Sequence, residues 1–262
     1  MSVWDTFLIL FWQKLFLRRL IINHRQKHLS ACLIALAALL STPIQGAWAA
    51  TAPALGTASG LSVLAGTAVT CTGAAVTGNV GVSPGSAFTN TGCTITGMTP
   101  PDTNVAAVGA HTDFLSAYAT LQLQSSSCIQ MLGNLANQNL GPGVYCVEAV
   151  AKTGMLTLTG PSDGVWIFLV NGALTGTNFS VAMAGGGQPC NVFWAPSGAV
   201  TMTDSAFTGN ILAGDAAIGS ITLTRGTLTG QALANVAVTM TGTSVAGSGG
   251  CHPDYLLNPF GP

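Results

Sequence analysis

Four short threonine strings recur along the second half of the chain and constrain its fold more than any other feature. They are LTLT at 156–159, VTMT at 200–203, ITLT at 221–224 and VTMT at 238–241. The last three begin at residues 200, 221 and 238, which is 21 and 17 residues apart. Two threonines in each string stand two positions apart, so on a strand they point to the same face. A period of about 20 residues with this alternation predicts the stacked coils of a β-solenoid.

The first 49 residues have the pattern of a secretory signal peptide with an unusually long N-terminal region before its apolar core. Five of the seven Lys and Arg residues fall between Lys14 and Lys27. An apolar run follows at 29–40, and small residues then surround Trp48. A basic region, an apolar core and an A-x-A site are the three parts of such a peptide. We therefore predict cleavage near Ala49 and secretion of the remainder as an extracellular protein.

Beyond the predicted signal peptide the chain carries very little charge. Residues 50–262 hold two basic and seven acidic side chains, so their formal net charge is 2 − 7 = −5. Over the whole chain charged residues make up 6%, whereas a typical globular domain has about a quarter. Electrostatic capture of nucleic acid or anionic lipid is therefore not expected. The length suffices for one domain with a substantial core, predicted over 50–251, followed by an irregular tail over 252–262.

Six cysteines remain after the predicted cleavage, and an even number in an exported chain predicts up to three disulfides. Spacing alone leaves their connectivity open. We predict the pair Cys128–Cys146 because it brackets a short non-repetitive segment. We predict Cys71–Cys93 because these residues are about one coil apart, so that their bridge would join neighbouring coils. Cys190–Cys251 is then the remaining pair.

One segment breaks the strand pattern and predicts a single α-helix over about residues 102–123. Its apolar residues, from Val105 onward, are spaced three and four apart, as on one face of a helix. Asp102 or Thr103 is the expected N-cap residue.

The strand signals that run from 143 to 245 fall into three columns. One column is strongly apolar and contains Trp166 and Trp194, the second holds the threonine strings, and the third contains Thr208 and Thr229. Three columns predict a mainly β fold, a parallel β-helix of triangular cross-section, with the helix packed along the apolar column.

Several segments resemble the microbial ice-binding protein family. Residues 77–85, TGNVGVSPG, are similar to the family's TGDLGVSPG segment, and 55–64 resembles its opening. Residues 142–146, 190–194 and 207–212 resemble three further family signatures. The resemblance extends over nearly all of the exported chain. It implies a discontinuous right-handed β-solenoid with one long α-helix alongside, and a function in adsorbing to ice, as antifreeze or as an inhibitor of ice recrystallisation.

Members of that family often carry T-(A/G)-x-(T/N)-like segments on a flat face, a pattern that 175–178 fits and 241–244 nearly fits. Residues 203–206 and 224–227 depart from it because they contain Asp204 and Arg225. A charge on the face would hold its own hydration shell, so the sequence leaves open whether these two side chains weaken ice binding. The candidate ice-binding residues are Thr157, Thr159, Thr175, Thr177, Asn178, Thr201, Thr203, Thr222, Thr224, Thr227, Thr239, Thr241 and Thr243.

The alternative function is a secreted adhesion or matrix module that binds polysaccharide or another surface through the same face. Sugar-binding platforms need exposed Trp or Tyr, whereas Trp166 and Trp194 fall in the apolar column. We predict no enzyme, because the acidic residues are scattered and no zinc-protease, nucleophile-elbow or phosphate-loop motif occurs. The cysteine spacings do not suit structural zinc. The expected partner is an ice crystal surface, bound by a monomer without cofactor, metal, nucleic acid or small-molecule substrate.

Overall fold

The computed structural model describes residues 50–247 as a coiled stack of short parallel strands with one long helix. Three short 3-10 turns accompany them, at Gly56–Gly60, Leu123–Ser127 and Pro189–Asn191. The elements in chain order are β1 Leu61–Ala65, β2 Ala68–Thr72, β3 Ala75–Thr77, β4 Asn79–Val82, β5 Ala87–Thr91, β6 Thr94–Ile95, α1 Asn104–Gln122, β7 Ile129–Met131, β8 Asn139–Leu140, β9 Gly143–Glu148, β10 Lys152–Thr159, β11 Trp166–Asn171, β12 Leu174–Ala184, β13 Val192–Pro196, β14 Val200–Thr208, β15 Asn210–Ala213, β16 Ile221–Thr229, β17 Ala232–Ala234, β18 Ala237–Thr241 and β19 Ser244–Ala246.

The strands form two parallel sheets whose order departs from the order along the chain. The first sheet, here the helix face, runs β4-β1-β17-β15-β13-β11-β9-β7. The second sheet runs β5-β2-β18-β16-β14-β12-β10-β8. Strand β18 pairs with β2, so the last coils in sequence stack directly on the first ones. This confirms the predicted discontinuous β-solenoid, in which α1 lies in the sequence between strands from opposite ends of the stack.

The second sheet bends along a line of residues whose backbone has a positive φ angle, and it thereby supplies two of the three faces. Strands β12, β14 and β16 bend at Asn178, Asp204 and Arg225, whose φ angles are 49°, 50° and 56°. The part of each strand before the bend forms what we call the threonine face. The part after it, with β3, β6 and β19, forms the third face. The predicted triangular cross-section is therefore confirmed.

The interior of the coils is filled by apolar side chains that alternate with outward polar ones along each strand. A column of stacked aromatic rings runs through its wider part. The ring centroids of Phe168 and Trp194 are 3.9 Å apart, and those of Phe168 and Tyr145 are 5.4 Å apart. Trp166 and Trp194 are fully buried, as predicted. Burial of such large rings supplies much of the favourable free energy of folding.

A second apolar layer lies between the helix face and α1. Ala107, Ala110, Phe114 and Ala117 on the helix pack against the outward side of the first sheet. The small alanines let the helix lie close to the strands, while Phe114 fills the centre of the layer. Within residues 50–247, no helix combines the length and apolarity needed to cross a membrane.

The helix begins at Asn104 and ends at Gln122, close to its predicted bounds of 102–123. Thr103 occupies the N-cap position, but its side chain makes no capping hydrogen bond. Its hydroxyl donates instead to the backbone carbonyl of Val80 at 2.7 Å. The predicted N-cap position is therefore confirmed for Thr103, but this buried side chain ties the helix start to the solenoid instead of capping the helix.

Two of the three predicted disulfides are present. Cys71 pairs with Cys93 and Cys128 pairs with Cys146. Cys190 also takes part in a disulfide, and its predicted partner Cys251 lies outside the described residues. The predicted signal peptide over 1–49 and the tail over 252–262 lie outside them as well.

The Cys71–Cys93 bridge joins β2 to the segment after β5 across neighbouring coils, and the two residues are 22 positions apart. We expect the Cys71→Ala/Cys93→Ala double variant to lose about 3 kcal/mol of stability, since a loop of this length is no longer closed in the unfolded chain. Guanidinium denaturation followed by circular dichroism measures the loss. An unchanged denaturation midpoint in a correctly folded variant would contradict this role.

Candidate functional site

The threonine face presents two parallel rows of threonine side chains across six neighbouring strands. In spatial order the strands are β12, β14, β16, β18, β2 and β5, and each contributes two threonines two positions apart. The threonines pair in strict register from strand to strand. One row is Thr175, Thr201, Thr222, Thr239, Thr70 and Thr89, and the other is Thr177, Thr203, Thr224, Thr241, Thr72 and Thr91.

Each threonine points outward because the residues between them point inward. In β14, for example, Val200 and Met202 are buried while Thr201 and Thr203 are exposed or half-buried. Neighbouring strands in a sheet lie about 4.8 Å apart, and positions i and i+2 of one strand about 6.7 Å apart. The rows therefore form a flat grid of hydroxyl and methyl groups. Threonine is branched at Cβ, so its side chain holds few rotamers.

Several predicted site residues lie elsewhere. Thr157 and Thr159 belong to β10 after its bend and pair with Ala182 and Ala184 on the third face. Thr227 also lies on the third face, where it pairs with residues of β14 and β19. The placement of these three on one face with the other strings is therefore wrong.

Thr243 is not a surface residue at all. Its side chain is 3% exposed, and its hydroxyl donates to the backbone carbonyl of Gly226 at 3.2 Å. The prediction that it contacts a partner is wrong, because the chain turns inward between β18 and β19. Asn178 is exposed, but it stands at the corner beyond the rows.

Four residues of the rows were missed by the sequence analysis, namely Thr70, Thr72, Thr89 and Thr91. Their strings, VTCT at 69–72 and FTNT at 88–91, replace the second aliphatic residue by Cys71 or Asn90. The alternation of threonine was nevertheless visible there. The structure places them beside the other strings because β18 pairs with β2, and this pairing joins segments from the two ends of the described chain.

The third face has less regular rows. Thr208, Thr229, Ala246 and Thr77 pair in register across β14, β16, β19 and β3. A methyl group without a hydroxyl thus interrupts the sequence of threonines. Of the two flat faces, only the threonine face repeats one side chain at every position of both rows over six strands.

Asp204 and Arg225 stand at the edge of the threonine face, directly after Thr203 and Thr224. The Arg225 guanidinium binds the Asp204 carboxylate through two hydrogen bonds, Nε to Oδ1 at 2.6 Å and Nη2 to Oδ2 at 2.7 Å. The side chain of Arg225 is 59% exposed and that of Asp204 is 39% exposed. The hydrogen bond from Arg225 holds the pKa of the Asp204 carboxyl below its ordinary value. Both groups are therefore charged at neutral pH and cancel each other.

The second basic side chain of residues 50–247, Lys152, does not reach the surface. It is fully buried at the start of β10. Its Nζ donates to the backbone carbonyl of Gly133 at 2.8 Å and to that of Glu148 at 2.9 Å. With Lys152 buried and Arg225 paired, the described part of the chain offers no unpaired Lys or Arg side chain to an acidic ligand.

Aromatic and acidic side chains are also absent from the grid. No Trp or Tyr within residues 50–247 is fully exposed. Nor does that part of the chain bring together three or more His, Cys, Asp or Glu side chains that could hold a metal ion. The surface is thus flat, nearly neutral and periodic. Such a surface suits adsorption to another extended, ordered surface better than capture of a small ligand, which needs a concave site.

Comparison with known proteins agrees with this geometry. A family model described as ice-binding-like matches residues 63–246. An ice-binding protein from Nostoc sp. (strain HG1) is 37% identical over 171 residues, which are 63% of this chain and 63% of that protein. An ice-binding protein from Flavobacterium frigoris (strain PS1) is 38% identical over 84 residues, 31% of this chain and 30% of that protein. The chain thus matches less than two thirds of either relative.

Solved structures share the fold over most of the described residues. An ice-binding protein from an Antarctic biological consortium is 29% identical with a TM-score of 0.65, covering 76% of this chain and 92% of that one. One from the Antarctic ascomycete Antarctomyces psychrotrophicus is 27% identical with a TM-score of 0.64, covering 75% and 98%.

The ion pair at the edge of the threonine face can be tested by titration. We expect the pKa of Asp204 to lie below 3.8 and to rise toward that value in the Arg225→Gln variant. The carboxyl carbon chemical shift, followed by NMR against pH, measures it. The pair is intact above this pKa and is lost as the pH falls through it, because protonation removes the negative charge.

Asp215 provides the internal control for this titration. Its pKa is lowered by hydrogen bonds from the backbone N–H groups of Ile218 and Ala217, so it should not respond to the change at Arg225. A pKa of Asp204 that stays the same in Arg225→Gln would show that the two side chains do not pair in solution.

Proposed function

Because the chain belongs to the ice-binding-like family, we propose that it adsorbs to ice through its threonine face. The single observation that supports this choice of face most directly is the pair of registered threonine rows across six strands. We also propose that the protein acts outside the cell as a monomer, in line with the predicted signal peptide.

The spacing of the rows gives the proposal its physical basis. Repeats of about 4.8 Å across the strands and about 6.7 Å along them are on the scale of oxygen spacings in ice. The threonine methyl groups would order water into cages, and the hydroxyl groups would anchor that water by hydrogen bonds. Ordered water held in a lattice-like pattern can merge with the surface of a growing crystal.

Rigidity of the face favours adsorption. Each row is fixed by a continuous backbone ladder, and the side chains have few rotamers to lose. Little conformational entropy is therefore lost on binding. The absence of unpaired charge over the grid leaves the surface water free to adopt the order of ice rather than that of an ionic hydration shell.

The alternative, a module that adheres to polysaccharide, has less support. Carbohydrate platforms depend on exposed aromatic rings, and Trp166 and Trp194 are buried in the core. An enzymatic groove for charged polysaccharide would need free basic groups, whereas Lys152 is buried and Arg225 is paired. The ice surface is therefore the partner we propose.

The first experiment measures thermal hysteresis and inhibition of ice recrystallisation by the purified protein with its disulfides intact. We expect both activities, because a neutral, rigid threonine grid would block growth where it adsorbs. A folded protein, verified by circular dichroism, that shows neither activity at high micromolar concentration would overturn the proposed function.

A second experiment identifies the face with two variants on one strand. Thr222 lies on the threonine face before the bend of β16, and Thr229 lies on the third face after it. We expect Thr222→Tyr to abolish most of the thermal hysteresis, since a bulky ring would hold the grid away from ice. The matched control Thr229→Tyr should keep nearly all of it. The opposite result would assign ice binding to the third face.

A further inference from the structure

The corner between the threonine face and the third face is occupied by an unusual pair of residues. Along this corner every strand turns at a residue with a positive φ angle. Asp204 and Arg225 hold two of these positions on adjacent strands. Other positions along the corner hold residues that tolerate this conformation well, among them Gly154, Asn178, Gly242, Gly73 and Gly92.

Stability alone does not account for this choice. A left-handed backbone strains most residues other than glycine, and arginine has no local hydrogen bond that relieves the strain as asparagine or aspartate does. An exposed ion pair contributes little to folding in return. Glycine at both positions would give the same turn with less strain. Two charges therefore stand beside the threonine rows without a gain in stability, and their effect on that surface depends on whether they are paired.

We propose that the Asp204–Arg225 ion pair keeps the edge of the threonine face electrically neutral, because each side chain cancels the charge of the other beside the grid. The inference rests on the proposed ice-binding function. Asp204 follows Thr203 and Arg225 follows Thr224, and these two threonines are registered neighbours in one row. The pair thus lies directly beside the second and third of the six strands of the array, β14 and β16.

A lone charge at this place would act on several threonines at once. Its field in physiological salt extends over about 8 Å, which exceeds the spacing of about 4.8 Å between strands. It would orient water around itself in competition with the order of ice. A bidentate pair of opposite charges has a field that decays much faster, so the water over the rows is left undisturbed.

The pair has no charged neighbour at the corner. The adjoining corner positions are Asn178 on β12 and Gly242 after β18, and neither residue titrates. The Cγ atom of Arg225 is 3.8 Å from the Cβ that a side chain at Gly242 would have. The charge balance at this edge therefore depends on Asp204 and Arg225 alone.

The test uses three variants of the full protein at the pair and one control. Asp204→Asn leaves a lone positive charge, Arg225→Gln leaves a lone negative charge, and the double variant carries neither. Asn keeps the size of aspartate, and Gln replaces arginine by a shorter, uncharged polar side chain. The control is Asp163→Asn in the exposed turn between β10 and β11, which makes the net charge one unit more positive, as Asp204→Asn does.

We expect both single variants to lose most of their thermal hysteresis, while the double variant and Asp163→Asn retain that of the wild type. Melting temperatures should be nearly equal throughout, which separates this role from a purely structural one. If the wild type is active and the single variants match it, this inference fails and the proposed function stands. If the double variant is as weak as the single ones, neutralisation is not the role of the pair and the inference also fails.

Acidification provides a second measurement that needs no change at the pair. As the pH falls well below 3.8, Asp204 takes up a proton and Arg225 is left as a lone positive charge. Wild-type thermal hysteresis should fall in this range while that of the double variant stays constant. Equal responses of the two proteins would overturn the inference, and a wild type that is inactive at neutral pH would overturn the proposed function together with it.

Discussion

The backbone hydrogen-bond ladder between parallel strands is the interaction on which the rest of this structure depends. It fixes the spacing between coils, and its unbroken register aligns Thr201 with Thr222 and Thr222 with Thr239. A slip of one residue would turn every threonine of a strand inward and every valine or methionine outward. The same ladder that holds the fold together therefore determines the geometry of the surface, and no additional element is needed to position the side chains.

The ladder also explains why the chain returns to its beginning. Pairing of β18 with β2 extends the grid from four strands to six, because β2 and β5 add their threonines to those of β12, β14, β16 and β18. The helix α1 covers the first sheet, whose outward side is apolar. One sheet is thus left free to present a flat surface while the other is buried. A long-range strand pairing and a helix together convert a linear repeat into an array with one defined face.

Much of this organisation could be predicted from the sequence, since it is encoded by local periodicity. The alternation of threonine with aliphatic residues predicted stacked coils, and the change to spacings of three and four predicted the helix. The face of LTLT at 156–159 could not be predicted from its alternation, which is the same on every face. In β10 the bend at Gly154, which has a positive φ angle, comes before the threonine string. In β14 and β16 the bends at Asp204 and Arg225 come after the threonine strings. Only this order of bend and string distinguishes the two faces. The contributions of β2 and β5 depend on a pairing between distant segments, for which local patterns hold no information.

The placement of the two basic residues within 50–247 shows how this part of the chain keeps its surface free of unpaired positive charge. Lys152 is turned inward and donates hydrogen bonds to the backbone carbonyls of Gly133 and Glu148, although burial of an ammonium group is unfavourable and lowers its pKa. Arg225 is exposed, but its Nε and Nη2 both donate to the carboxylate of Asp204 in the ion pair. One cation is thus removed from the surface and the other is neutralised on it. For the proposed adsorption to ice, the threonine face offers hydroxyl and methyl groups, and the charge beside it is balanced by an opposite charge at hydrogen-bond distance.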